Sequence, residues 1–419
     1  MGEGDEDKKE RVRRKIYHYP RVNKRERENW TKNAESYSNT VQRSRSVVSR
    51  SLLIEAGIVA AIALCLILVM PAILSSFRLN LLGRFLALAI VALGIDLIWG
   101  YTGMLSLGHG IFFALGGYAI AMHLQLAPLE PGRLPEFMNL YGGTELPAFW
   151  TPFYSFPLAT AGVIIIPAIL AAILGYLVFR NRIRGVYFSI LTQAATIVFF
   201  NFFNGQQKLF NGTNGLTNYK TLLGLEVKAT QTQFIFYAFT VILLALSYAL
   251  CRWLTKGRFG RLLIAIRDDE SRVRFSGYDP TGFKVLVFAI SAALAGIAGA
   301  MFTVQTGIIS PKAMDIAFSI EMVIWVAVGG RASLVGAVLG AVLVNFGKSF
   351  LSEQFPEIWL FFQGALFLLV VTVLPDGIVG WWRTQGIDRV RKLLGRPKQV
   401  TTYPSLEADP EVQQEREKF

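Results

Sequence analysis

The chain predicts an all-α, polytopic integral membrane protein with about ten transmembrane helices, some broken around a central pathway, and both termini in the cytoplasm. Three observations predict it. Hydrophobic residues make up 53% of the 419 positions and charged residues only 17%, with 31 Phe, a balance found in membrane proteins rather than soluble domains. Apolar runs near the roughly twenty residues needed to cross a bilayer recur along the chain. Basic residues gather in the tails and in alternate loops, so the formal net charge of +13 points to a membrane and not to nucleic acid.

Residues 1–50 are polar, with Arg11, Arg13, Arg14, Lys15, Lys24, Arg25 and Arg27 prominent, and read as a basic cytoplasmic tail. No cleavable leader is visible before the first apolar run. The transmembrane domain is expected at 51–380, and 381–419 form a second cytoplasmic tail. The expected spans are Leu52–Ser75, Leu81–Trp99, Ile111–Leu126, Pro157–Phe179, Val186–Phe203, Phe234–Arg252, Val285–Thr306, Ala317–Val328, Val335–Phe350 and Ile358–Leu374. The third, eighth and ninth are short, as tilted or broken helices around a cavity would be. Arg180, Arg182 and Arg184 follow the fourth span, and Arg252, Lys256, Arg258, Arg261, Arg267, Arg272, Arg274 and Lys284 flank the sixth-to-seventh loop, which places both loops inside. Gln125–Phe156, rich in Pro and aromatics, and Asn204–Gln233, rich in Asn, Gly and Thr, then face outside. The first is expected to fold as a compact cap; either loop could meet a partner protein or serve as connecting cover.

Gly100–Tyr118 is a glycine-dense break with Thr102, Ser106 and His109 between two apolar runs. Irregular backbone at membrane depth must line a cavity or be packed in protein. The cavity reading makes it part of a polar pathway; the other makes its glycines close-packing residues. Gly329–Ala341 echoes it, and paired interruptions point to a transporter's central site.

Acids in mid-bilayer cost roughly 2.5–3.5 kcal/mol on insertion scales, so Asp96 and Glu321 are expected to face an interior. Tyr101, Ser106, His109, Gln193, Glu321 and Asn345 are the candidate pathway residues, with Thr192 a further polar position; structural hydrogen bonding is the alternative for Glu321 and Asp96. The cysteines, Cys65 and Cys251, lie in or beside apolar runs and frame neither a disulfide nor a zinc site, and three histidines without paired spacing give no metal site. Asn345–Ser349 (NFGKS) lacks the first glycine of a nucleotide loop, because position 342 is Val342, so neither ATP nor another cofactor is expected on this chain. Asn211-Gly212-Thr213 is a chance glycosylation match. No nucleophile–base set argues for an enzyme.

Within the cytoplasmic loop 257–284, Leu262–Ser276 reads as a helix with Gly277 as its stop and Asp279-Pro280 beyond. Leu262, Leu263, Ile266 and Val273 form its apolar side, and Arg267, Asp268, Asp269 and Glu270 its polar one. Three consecutive acids disfavour an anionic lipid surface and favour docking in a protein groove.

This stretch resembles the coupling segment of ABC-transporter permeases of the branched-chain amino acid and amide uptake family. Gly100, Tyr101, Gly103, Ser106, Leu107, Gly108, Phe112 or Phe113, Gly116 or Gly117 and Tyr118 resemble that family's membrane signature. The resemblance covers about Ile95 to Asp376, and LPEFMNLYGGTELPAFW, RGVYFSILTQA and NGTNGLTNYKTLLG are most similar to its urea-type branch. It implies uptake of urea or a short amide through a bacterial inner membrane, a cyanobacterial type included. It also implies a second permease subunit, two cytoplasmic ATPases and a periplasmic binding protein. Arg267, Asp268, Asp269, Glu270 and Gly277 would then couple to the ATPase. Branched-chain amino acids are the alternative substrate. A zwitterion calls for groups of both signs in the pathway, and Arg331 stands out as the cation among the apolar runs. A stand-alone channel or secondary transporter is the rival class, and it leaves the acid-rich helix without a role.

Overall fold

A computed structural model describes residues 54–129, 133–219, 221–227, 229–355, 358–374 and 376–382. The expectations for the tails at 1–50 and 383–419 lie outside the described residues.

All ten expected apolar segments are helical. They are α1 (Ile54–Ile73), α2 (Ser76–Thr102), α3 (His109–Leu126), α4 (Phe156–Arg180), α5 (Val186–Gly205) and α6 (Thr230–Lys256); then, beyond the polar helix α7 (Arg258–Phe275), α8 (Pro280–Thr306), α9 (Ile316–Gly329), α10 (Leu334–Gln354) and α11 (Trp359–Val373). Among the described residues, seven helices are long and apolar enough to cross a bilayer: α1, α2, α4, α5, α6, α8 and α10. The 18-residue α3, the 14-residue α9 and the 15-residue α11 are shorter. The expectation of a short ninth span is corrected, since α10 continues through the polar turn Lys348–Gln354 to 21 residues. Lys348 lies inside the apolar run and the helix continues past the end of that run at Phe350. The shortfall moves to α11 instead.

Helix α2 is the axis of the fold. From Phe85 to Ile98 it is buried, because its Ala, Gly and Leu side chains let α6, α8 and α10 approach it. Helix α8 packs on α2, α3 and α4. At its crossing with α3, a Cβ on Gly116 would overlap the Gly296 backbone, and one on Gly299 would overlap the Phe113 carbonyl. These glycines serve close helix approach. The same holds between α9 and α10, where Gly329 meets Gly336 and Gly340 meets the Trp325 carbonyl.

Two ends of the bundle are chemically distinct. One carries α7 and the turn Asn181–Gly185. At the other, the described residues of 125–156 include the one-turn helix Glu136–Leu140 and the 3-10 helix Ala148–Tyr154, which join Gln207–Phe210 and a small sheet. That sheet pairs β1 (Leu216–Thr217) antiparallel with β4 (Ile308–Ile309); β2 (Thr221–Leu222) pairs separately with β3 (Leu225–Glu226). Trp150, Phe153, Phe203 and Phe210 form an aromatic centre, with the Phe203 and Phe210 rings 4.2 Å apart. Trp150 Nε1 donates to the Leu209 carbonyl at 3.3 Å, and His123 Nδ1 bonds the Phe153 carbonyl at 2.8 Å. The compact cap expected from the prolines is formed.

Candidate functional site

The break after α2 begins at Gly103, whose φ of +74° ends the helix without a Cβ penalty. The freed backbone groups are met by hydroxyls on one face of α5. Ser189 Oγ donates to the Leu105 carbonyl at 2.7 Å, Leu107 N donates to Thr192 Oγ1 at 3.0 Å, and Thr196 Oγ1 donates to the Leu107 carbonyl at 3.4 Å. Irregular backbone is therefore packed in protein here, as the membrane interior demands. Ser106 is fully buried and its Oγ accepts the Gly108 amide at 3.4 Å. His109 is also fully buried; its Nε2 bonds Ser291 Oγ at 2.8 Å, and its ring meets Phe112 and Phe288 edge-on. The structure brings these two into close packing and not to a cavity wall.

The second break, Gly330–Ser333, lies against the first. Asp96 Oδ1 accepts the Ala332 amide at 2.7 Å, and Tyr101 Oη donates to the Ala332 carbonyl at 3.4 Å. A Cβ on Gly100 would clash with both Asp96 and Ala332. The last turns of α2, which lead into the first interruption, and the second interruption thus form one joint. Arg331 is exposed and lies over the Trp99 ring at 5.0 Å, so its expected place as an interior cation is corrected. Arg331 follows Gly330, at φ +117°, in the turn between α9 and α10.

Helix α7 reaches this joint. It starts at Arg258, one turn before the expected Leu262, and kinks at Asp269, where φ is −156° and ψ is 97°. Asp269 Oδ1 then accepts the Ser271 amide at 2.9 Å and so caps the second segment. Leu263, Ile266 and Val273 are buried as the pattern predicts. Gly277, at φ +86°, completes the stop: its amide bonds the Arg274 carbonyl at 2.9 Å while the Tyr278 amide bonds that of Val273 at 3.3 Å. Arg267 Nη1 donates to the Gly100 carbonyl at 2.8 Å. Asp268 is exposed and bonds Arg267 Nε at 3.2 Å.

Glu270 departs from the exposed polar face assigned to it. The kink turns it inward, where it is buried and meets Lys284 at 2.5 Å, Arg274 at 2.9 Å and Arg184 at 3.3 Å. Burial works to raise this carboxyl, but the hydrogen bonds from Lys284 and Arg274 and the surrounding positive charge outweigh it and hold it below its ordinary range. One carboxylate therefore ties α7 to α8 and to the turn before α5.

Towards the cap end, Glu321 faces a cavity of about 400 Å³. Its Oε1 and Oε2 accept from Lys348 Nζ at 2.9 and 2.7 Å. Phe113, Phe302 and Phe318 wall the cavity, and Lys312, Asp315 and Gln363 add polar groups. Lys348 was missed by sequence reasoning, although its signal was present as a lysine inside the ninth apolar run. Asn345, three residues earlier, is buried and bonds its own helix at Ala341, 2.8 Å away. Gln193 is half-buried on α5. Neither joins the cavity. The α5 hydroxyls at Ser189 and Thr196 were also missed, and their spacing of seven residues puts them on one helical face.

A bundle of apolar helices with two packed interruptions, a polar helix anchored on one of them and an ion-paired cavity toward the opposite end defines a multi-pass membrane permease. Residues 77–371 match the family described as branched-chain amino acid transport system, permease component, and the chain belongs to that family of ABC-transporter permeases. The high-affinity branched-chain amino acid transport system permease protein LivM of Escherichia coli strain K12 is 27% identical over 364 residues, covering 81% of this chain and 77% of its own length. BraD of Pseudomonas aeruginosa, a permease protein of the same kind of system, is 26% identical over 305 residues, covering 70% of this chain and 91% of its own. A probable LivM of Methanocaldococcus jannaschii is 24% identical over 317 residues, covering 69% and 89%. No solved structure matches the chain.

Proposed function

We propose that this chain is the membrane subunit of an ATP-driven importer and that it carries urea or a short amide. In this reading it pairs with a second permease subunit, receives substrate from a periplasmic binding protein and takes its power stroke from two cytoplasmic ATPases that bind the nucleotide. The observation that carries the reading is the contact of Arg267 with Gly100: a polar surface helix grips the interruption of the central membrane helix. Movement imposed on α7 by a partner thereby reaches α2, and through Asp96 and Ala332 it reaches α9 and α10. A free-standing channel has no use for such a linkage.

Two observations at the cap end support the proposed substrate. Two of the three stretches that resemble urea-type permeases, around Leu134–Trp150 and Asn211–Gly224, belong to one joined cap, held by Trp150 and Leu209. Glu321 and Lys348 neutralise one another below it, which suits an uncharged polar solute. The second reading, a branched-chain amino acid, is favoured by one observation: the same pair offers both signs of charge beside three phenylalanines. The test is uptake of labelled urea and labelled leucine by cells that lack other systems for both and express all subunits. ATP-dependent urea accumulation supports the first reading. Leucine accumulation without urea supports the second, and uptake of either without the ATPases sinks both.

A further inference from the structure

Side chains of both signs, Lys312, Asp315, Glu321 and Lys348, line one cavity, and their formal charges cancel. Asp315 is committed to capping α9, where its Oδ1 accepts the Ile316 amide at 2.7 Å. Glu321 lies deep, with its side chain 6% exposed, and Lys348 lies nearer the opening at 37%. The ammonium has three N–H groups and gives two of them to Glu321. Each carboxylate oxygen can accept a second hydrogen bond. The pair therefore keeps one donor and two acceptor positions next to each other, on a surface with no net charge. The Phe113 ring stands 5.5 Å from Phe302 and 5.3 Å from Phe318, which closes the apolar side.

A neutral amide presents the complementary set, one carbonyl acceptor beside N–H donors. At the pair itself a charged solute would compete with Lys348 for Glu321 or with Glu321 for Lys348, and displacing Lys348 would leave the buried carboxylate without its partner. We propose that the Glu321–Lys348 pair is a binding site for a small uncharged amide. The remaining Lys348 N–H donates to the amide carbonyl, and Glu321 accepts from the amide N–H groups. This rests on the urea reading and adds the atoms that hold the solute and select against charge.

The experiment uses the complete importer in proteoliposomes with labelled urea and labelled guanidinium, which has nearly the shape of urea and one positive charge. The wild type is expected to carry urea and to reject guanidinium. Lys348→Met leaves Glu321 uncompensated, so urea uptake should fall at least tenfold and the guanidinium-to-urea ratio should rise at least tenfold. A merely structural role for Lys348 would lower both solutes alike. Ala317→Trp, which puts an indole into the cavity while leaving both charged side chains in the sequence, is the second variant and should also cut urea uptake about tenfold. If either variant inserts, binds the ATPases and carries urea with wild-type rate and selectivity, the site assignment is overturned while the urea reading stands. Leucine transport without urea transport in the wild type would overturn both.

Discussion

Arg267 donates to the carbonyl of Gly100 at 2.8 Å, so a surface helix and the central membrane helix share a hydrogen bond 167 positions apart in sequence. The acceptor is free because the chain leaves the helix at Gly103, and the donor reaches it because a Cβ is absent where Arg267 passes over that glycine. The glycine that ends α2 thus also admits the residue that grips it.

Arg267→Ala is expected to lower transport while leaving partner ATPases bound. A charge-assisted bond of this type is worth about 1.5–3 kcal/mol when desolvated, and Arg267 is partly exposed, so roughly a tenfold loss is the upper end. Substrate uptake should fall against unchanged pull-down of the ATPases. Unchanged uptake in Arg267→Ala would mean that the contact transmits nothing.

Glu270→Gln should destabilise the fold by about 3 kcal/mol, since it removes one partner of a buried ion pair. A thermal melt in detergent measures it. Its pH dependence has a definite sign. A carboxyl whose folded pKa is depressed contributes its full stability above the unfolded value, about 4.3, and loses it as pH falls through the folded value. The melting difference between wild type and Glu270→Gln should hold steady from neutral pH to about 5 and shrink below 4. A difference that grew with acid would contradict the pair.

Gly299→Val should block folding or cost about 3 kcal/mol, because its side chain would enter the Phe113 carbonyl where α3 and α8 cross. Gly347→Ala is the control: nothing lies within 4 Å of its added Cβ, and alanine favours the helix by up to about 1 kcal/mol. Comparable yields of monodisperse protein from the two would refute the close-crossing argument.

Orientation is tested with single cysteines at exposed positions. Asn181 and Arg258 lie in the two basic connections and Thr144 in the cap. In intact cells an impermeant thiol reagent should label the cysteine at 144 and spare those at 181 and 258. The reverse labelling pattern would invert the topology.

The sequence by itself determined the helices, the membrane, the family and the two interruptions. Each depends on local signals, namely apolar run length, glycine density and the Gly277 stop, which need no knowledge of what lies across the fold. The tertiary structure decided which polar residues meet. Ser106 and His109 carried pathway-like chemistry, yet α5 and α8 pack over them. Glu270 sat in a run of acids that reads as one exposed face, and a kink at Asp269 rotated it onto Lys284. Lys348 lay inside the run Val335–Phe350 with no local sign of a partner, and α9 placed Glu321 beside it, 27 positions away. A charge becomes a site only through its partner. Partners separated by tens or hundreds of residues are chosen by helix packing, which a local pattern does not encode.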